Sequence, residues 1–302
     1  MLTEPPCNLC ASTRSRVVYE TALPEVRDPA GLAAALRCTN AQYRCFGRIV
    51  RCLDCGLMFR SPQEDDTEAG YAEVVDEEYL ANEASRRATY EKSLRLMRSG
   101  GDEGGRLLDV GCYVGTFLDV ARSCGWDVQG LEPSRWAAEV ARGRYGLDVV
   151  TGSISEAELA PGSFDVVTLW DALEHLRDPR GSLERVREWL VPDGRLWLST
   201  MNVEAAFPRL MGRRWPHYMR MHLWYFSRPT LRRLLEAAGF ELMGIWPHVR
   251  VLQLGYLTGR LQCYGDWLAA STGAVVRALR LGDAMLPVSA RDLVTIQARK
   301  LE

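Results

Sequence analysis

The sequence predicts an α/β chain organised on an open, mostly parallel sheet, preceded by a small metal-stabilised segment. Three observations predict it. Residues 106–120, RLLDVGCYVGTFLDV, join a short apolar run to a glycine turn and an apolar helical repeat, the unit with which open sheets approach a nucleoside. Apolar runs recur at 127–131, 147–150, 164–169 and 195–200, separated by helical spacing near 135–144 and 181–190, as right-handed crossovers require. Two Cys-x-x-Cys pairs stand apart near the N-terminus.

Those pairs are Cys7/Cys10 and Cys52/Cys55, the second followed by Gly56. Each brings two sulfurs to one ion, and four thiolates close a tetrahedral zinc site with no open position, hence a structural one. Cys38 and Cys45 lie in the intervening loop as substitutes for one ligand. Redox-active or merely buried cysteines are the alternative. Residues 20–41 read as a loop and a short helix, 59–66 as a linker, and 84–97 as a helix with Tyr90, Leu94 and Met97 on one side. Tyr71 and Tyr79 precede that helix.

In the glycine turn, Leu107, Leu108 and Val110 form a strand suited to burial on both faces. Asp109 lies inside it, where an unpaired carboxylate is costly. The frame Asp109-x-Gly111-x-x-x-Gly115 is not the Gly-x-Gly-x-x-Gly of dinucleotide sites. It resembles motif I of class I S-adenosylmethionine-dependent methyltransferases, with Tyr113 in place of the usual third glycine. The resemblance implies a Rossmann-like seven-stranded sheet, six strands parallel and one antiparallel edge strand, with S-adenosylmethionine at Asp109, Gly111, Cys112, Tyr113, Gly115 and Phe117. Glu132 and Pro133 end the second strand, where the family's acid accepts both ribose hydroxyls. Ser153 and Ile154 fall where the adenine is flanked. Residues 164–179, with Trp170, Asp171 and Asp178-Pro179, match motif IV. A turn at 192–194 precedes the fifth strand. The order implies final strands at 241–246 and 293–299, paired antiparallel at the sheet edge.

Methyl transfer to oxygen or carbon needs a positioned acceptor and a base, and histidine is the natural base near neutral pH. His175 follows Glu174 at the crevice. Asp171, Glu174 and His175 share one face if this stretch is helical, a spacing similar to the triad of ubiquinone-type O-methyltransferases that orient a catechol with magnesium. A divalent ion there is the less favoured reading. His222 lies in HLWYFS, which resembles a segment of zinc-knuckle methyltransferases acting on sugars, polysaccharides and natural products. Ser227 is placed to cap the following helix. Arg213, Arg214, His217 and Arg220 form a basic patch suited to an acidic substrate group. Tyr79 is a third catalytic candidate.

The expected organisation is a zinc-binding segment over 1–66, a linker and lid helix over 67–105 and a methyltransferase core over 106–247. Its substrate segment is 201–227. A helical insert over 248–291 and a last core strand over 292–302 complete it. Net charge is −2, with 47% hydrophobic residues, which argues against nucleic acid. No leader and no apolar span is read, so a soluble cytoplasmic monomer or homodimer is expected. The expected activity is O-methylation of a sugar, glycan or secondary metabolite, the acceptor bearing a nucleotide, lipid or phosphate group. Sugar C-methylation and a non-catalytic methyltransferase-fold binding protein are the alternatives.

Overall fold

Apolar runs that no solvent face interrupts must be covered on both sides, and the chain meets this demand with one large sheet. The computed structural model describes residues 2–24, 26, 28–39, 46–64, 67–263 and 265–302. Cys45 lies outside the described residues. The N-terminal part comprises β1 (Leu2–Thr3), β2 (Ser15–Glu20), α1 (Pro29–Ala35), β3 (Arg48–Cys52), β4 (Met58–Arg60) and β5 (Gln63–Glu64). Then α2 (Thr67–Ala72), a 3₁₀ turn over Glu77–Asn82 and α3 (Glu83–Ser99) lead into the core.

The core alternates β6 (Gly105–Val110), α4 (Thr116–Ser123), β7 (Trp126–Glu132), α5 (Arg135–Tyr145), β8 (Asp148–Thr151), β9 (Phe164–Trp170), α6 (Pro179–Trp189) and β10 (Leu190–Met201). After it come α7 (Ala206–Met211), β11 (Trp224–Tyr225), α8 (Arg228–Ala237) and β12 (Phe240–Pro247). The last elements are β13 (Arg250–Gln253), α9 (Leu254–Arg260), α10 (Asp266–Ala278), β14 (Met285–Val288) and β15 (Leu293–Lys300).

Seven strands form the main sheet in the order β12-β15-β10-β9-β6-β7-β8. β15 is the single antiparallel strand and lies between β10 and the outermost β12. Leu107 and Leu108 on β6 are both fully buried, one toward each face. On one side Trp189, Leu196, Leu234 and Phe240 pack together; on the other Met97, Phe117, Trp126 and Trp197 do. Strand order reverses between β6 and β9, so their C-terminal ends open a crevice, the position where such sheets bind ligands. Ser227 does cap α8: its hydroxyl accepts from the Thr230 amide, and the Thr230 hydroxyl accepts from the Ser227 amide.

Three local expectations change. Residues 192–194 are not a turn ahead of the fifth strand; β10 begins at Leu190 and runs through them, with Asp193 at φ 59° and a register shift between Leu190 and Arg195. The insert is not purely helical, because β13 and β14 pair as a ribbon around α9 and α10. The N-terminal part also shares a sheet with the segment before α8. Its order is β11-β4-β3-β2, with Trp224 opposite Phe59 and Tyr225 opposite Met58. No described helix is long and apolar enough to cross a membrane.

Candidate active site

A cavity of about 390 Å³ opens at the crevice. Asp109 is buried on β6; its carboxylate accepts from the Thr168 hydroxyl at 2.6 Å, and burial pushes it up to about 8. Glu132 ends β7. Burial pushes it up to about 7, while the amides of Ser134 (2.8 Å) and Tyr113 (2.7 Å) donate to its two oxygens and oppose that rise. Ser134 in turn caps α5 by accepting from the Ala137 amide. The acid at the strand end therefore ties the glycine turn to the next helix while still facing the cavity.

The Tyr113 amide reaches Glu132 because its backbone is left-handed, φ 49°, between Gly111 at 75° and Gly115 at 78°. Its ring stands edge-on to Tyr79, centroids 4.5 Å apart, and the Arg86 guanidinium lies 3.6 Å above Tyr79. Gly111, Cys112, Pro133, Ser153, Ile154 and Asp171 also line the cavity. Gly115 and Phe117 do not. A Cβ on Gly115 would meet Leu147 at 2.5 Å and Ala141 at 2.9 Å, so this glycine lets α4 pack closely. Phe117 is buried between Tyr90 and Trp170, behind the wall.

Among the described residues, five buried polar atoms on this wall have no protein partner: Tyr113 Oη, Trp170 Nε1, Ser85 Oγ, and Nε and Nη2 of Arg86. Buried N–H groups are rarely left unmade. Donors facing a cavity suit a ligand with acceptor groups, and the carboxylates at Asp109 and Glu132 suit one with hydroxyl and ammonium groups. These residues fit S-adenosylmethionine. Arg86 escaped sequence reading because it is one of several arginines on α3 and only packing turns it inward. Tyr113→Gly is expected to keep the fold: relief of about 1 kcal/mol of left-handed strain offsets lost edge contacts of about 0.5–1.5 kcal/mol each. Affinity for S-adenosylhomocysteine is expected to weaken about tenfold, since each unmet contact costs about 1 kcal/mol. Unchanged affinity by calorimetry would make Tyr113 a bystander.

At the other end of the cavity, residues 173–175 form a 3₁₀ turn rather than an α-helix. The face expected to gather Asp171, Glu174 and His175 does not form. Asp171, at φ 51°, turns to Ser199 (2.7 Å) and to Arg250 of the insert. Burial would raise its carboxyl, but Arg250 and His248 hold it well below the usual range. His222 takes its place beside Glu174 and His175, their ligand atoms lying within 4.8 Å of one another. Glu174 accepts from the Thr200 hydroxyl at 2.8 Å and is pushed up to about 8 by burial and Asp171. Magnesium prefers a set of oxygens; two imidazoles and a hydrogen-bonded carboxyl do not fit it.

His175 Nδ1 lies 3.0 Å from the Met221 carbonyl and 2.8 Å from the Tyr71 hydroxyl. His222 Nδ1 lies 2.7 Å from the His217 carbonyl. A carbonyl can only accept, so Nδ1 carries the hydrogen on both rings and Nε2 keeps its lone pair. Their centroids are 4.8 Å apart. Burial lowers His175 to about 4 and, with the neighbouring histidines, lowers His222 well below its ordinary value. Both are neutral bases at neutral pH. Tyr79 is not with them: it packs on Tyr113, and the hydroxyl that reaches His175 belongs to Tyr71. Of the expected basic patch, His217 lines the cavity, Arg213 and Arg214 are exposed, and Arg220 is buried against Glu64 and Pro24. His248, Arg250 and Tyr256 of the insert also line the wall; no local motif announces them.

The four N-terminal cysteines converge. Cys7 and Cys55 sulfurs are 3.3 Å apart, those of Cys10 and Cys52 3.6 Å, and all four lie within 4.8 Å of one another. Amides of Asp54 and Cys55 point at the Cys52 sulfur. Cys38 is not among them; it lines the cavity instead.

The family described as Methyltransferase domain matches residues 82–244, more than half of the chain. The chain is similar to the mitochondrial ubiquinone biosynthesis O-methyltransferase of Schizosaccharomyces pombe, 36% identical over 33% of this chain and 39% of that one. It is also similar to the O-methyltransferase resE of Aspergillus sclerotiorum, 28% identical over 58% of this chain and 68% of that one. The chain thus spans about two fifths of the first relative and about two thirds of the second. A solved S-adenosylmethionine-dependent methyltransferase of Thermotoga maritima shares the fold, with a TM-score of 0.51 at 19% identity over 74% of this chain and 93% of that one. The turn at Asp109, the acid at Glu132, the strand order and these matches agree: the chain belongs to the class I S-adenosylmethionine-dependent methyltransferases.

Proposed function

We propose that the protein methylates an oxygen of a small molecule, a sugar, glycan or secondary metabolite, with a histidine as general base. The observation that carries this reading is the pair of imidazoles whose Nδ1 hydrogens are engaged by carbonyls, leaving two basic nitrogens at the cavity. When bound, S-adenosylmethionine supplies an electrophilic methyl group. Glu132 would hold the hydroxyls of the nucleoside end, and Asp109 and Arg86 would meet the ammonium and carboxylate groups of the amino-acid end. Nε2 of His222 or His175 takes the acceptor's hydroxyl proton as the oxygen becomes methylated. Tyr71 and the Met221 carbonyl keep His175 in its tautomer. Cys7, Cys10, Cys52 and Cys55 would hold one structural zinc ion.

Glu132 provides the direct test of the methyl-donor site. Removing a buried, charge-assisted acceptor is expected to weaken S-adenosylhomocysteine binding about 100-fold in Glu132→Ala. In the wild type, protonation below about pH 7 removes the same acceptor. Affinity should therefore fall as pH is lowered through 7, approaching tenfold per unit. Calorimetry across pH checks both. A flat profile together with an inert Glu132→Ala would refute this placement of the nucleoside. Product analysis then separates oxygen from carbon methylation.

A further inference from the structure

We infer that the outer face of α10 is the contact surface of a two-fold homodimer. α10 is apolar on two faces. Its inner face sets Ala269, Gly273 and Val276 in the interior, and a Cβ on Gly273 would lie 3.8 Å from Thr258 on α9. Its outer face carries Trp267, Ala270, Ala274, Val275 and Ala278, with Leu279 just beyond the helix end; all are exposed. These positions recur at the three- and four-residue spacing of one helical stripe. Trp267 is 73%, Val275 58% and Leu279 62% exposed. Single exposed apolar side chains are ordinary, whereas an aligned stripe marks a surface that is covered.

Charge selects the occupant. Asp266 stands at the first turn, and Arg277 and Arg280 stand at the end of the helix and just past it. Two copies of α10 crossing antiparallel, outer face to outer face, set each Asp266 beside the arginines of the other copy and oppose the two helix dipoles. The stripe is self-complementary in shape as well. Ala270 and Ala274 in its middle allow axes to approach to about 8 Å, and Trp267 of one copy then lies beside Leu279 of the other. A helix of 13 residues is about 20 Å long, less than an interface of about 800 Å² per partner needs by itself. Leu281, Met285 and Leu286, exposed on the chain that leaves α10, extend the surface. An anionic lipid surface is the poorer fit, because Asp266 and Asp283 balance Arg277 and Arg280.

The dimer bears on the site. α10 packs on α9, and Tyr256 and Arg260 of α9 line the cavity. A partner on the outer face would hold that wall in place. Sedimentation velocity of the full chain over a concentration series tests this. The wild type should show a concentration-dependent dimer. Ala274→Arg, placing a charge at the centre of the stripe, should weaken it about 100-fold, while the far-ultraviolet circular dichroism spectrum stays that of the folded chain. Asp266→Arg should weaken it about tenfold, and adding Arg277→Glu and Arg280→Glu to the same chain should restore it. A wild type monomeric at every concentration, a dimer indifferent to Ala274→Arg, or no rescue by the charge swap would overturn the inference. So would a monomer that sediments with phosphatidylglycerol vesicles and loses that property in Ala274→Arg.

Discussion

His222→Ala is expected to lower kcat by a factor of about 10² to 10⁴, the range for loss of a general base. The S-adenosylhomocysteine dissociation constant should stay within about twofold of wild type, since the ring touches none of the nucleoside-end residues. His175→Ala should act in the same direction, and the double variant should be no worse than the more severe single, because groups acting as a unit are not additive. The pH profile identifies the base. A histidine at its ordinary value would switch off near pH 6.5. Burial lowers His175 to about 4. It is therefore neutral and competent above that value and lost only as pH falls through it. At saturating cofactor, kcat should hold down to about pH 5. An acidic limb near 6.5, or full turnover in the double variant, would remove the histidine pair from the chemistry.

Removing metal from the cysteine cluster is expected to abolish turnover while sparing the methyl-donor site. Structural zinc contributes about 10 kcal/mol or more to the order of a small segment, and this segment has little core of its own. Its strand β4 pairs with β11, which begins two residues after His222. The Arg60 amide donates to the Leu223 carbonyl at 2.8 Å, and the Leu223 amide donates to the Glu174 carbonyl at 2.8 Å. Order thus passes from the cysteines through β4 to the residues flanking both histidines. Chelation, or Cys7→Ser with Cys52→Ser, should cut kcat at least about 100-fold. Calorimetric binding of S-adenosylhomocysteine should persist, because β6 and β7 lie in the other sheet. One zinc per chain is the expected stoichiometry in a colorimetric release assay. Metal-free protein with full turnover would break this coupling.

How much of the site was legible follows from how local each feature is. Asp109 and Glu132 could be read because an acid at the end of an apolar run is both costly and placed at the crevice. The cysteines could be read because pairs at that spacing have few other uses. Gly115 and Phe117 share the turn's motif, yet they pack against Leu147, Ala141, Tyr90 and Trp170, neighbours that no motif names. Arg86 and Arg250 were invisible for the same reason: an arginine looks alike on a solvated face and in a cavity.

The α/β class, the strand–turn–helix unit at 106–120, the strand-end acids and the cysteine pairs are legible in the chain alone. Each depends on periodicity or spacing within a few turns of chain. Which side chains meet at the cavity is set only by packing. A left-handed Asp171 and a 3₁₀ turn send that carboxylate to Arg250, and the carbonyls of Met221 and His217 set the hydrogens on His175 and His222. His175 and His222 are brought together by the pairing of β11 with β4 and by the Leu223–Glu174 hydrogen bond. Such contacts depend on long-range closure of the chain, to which local pattern is blind.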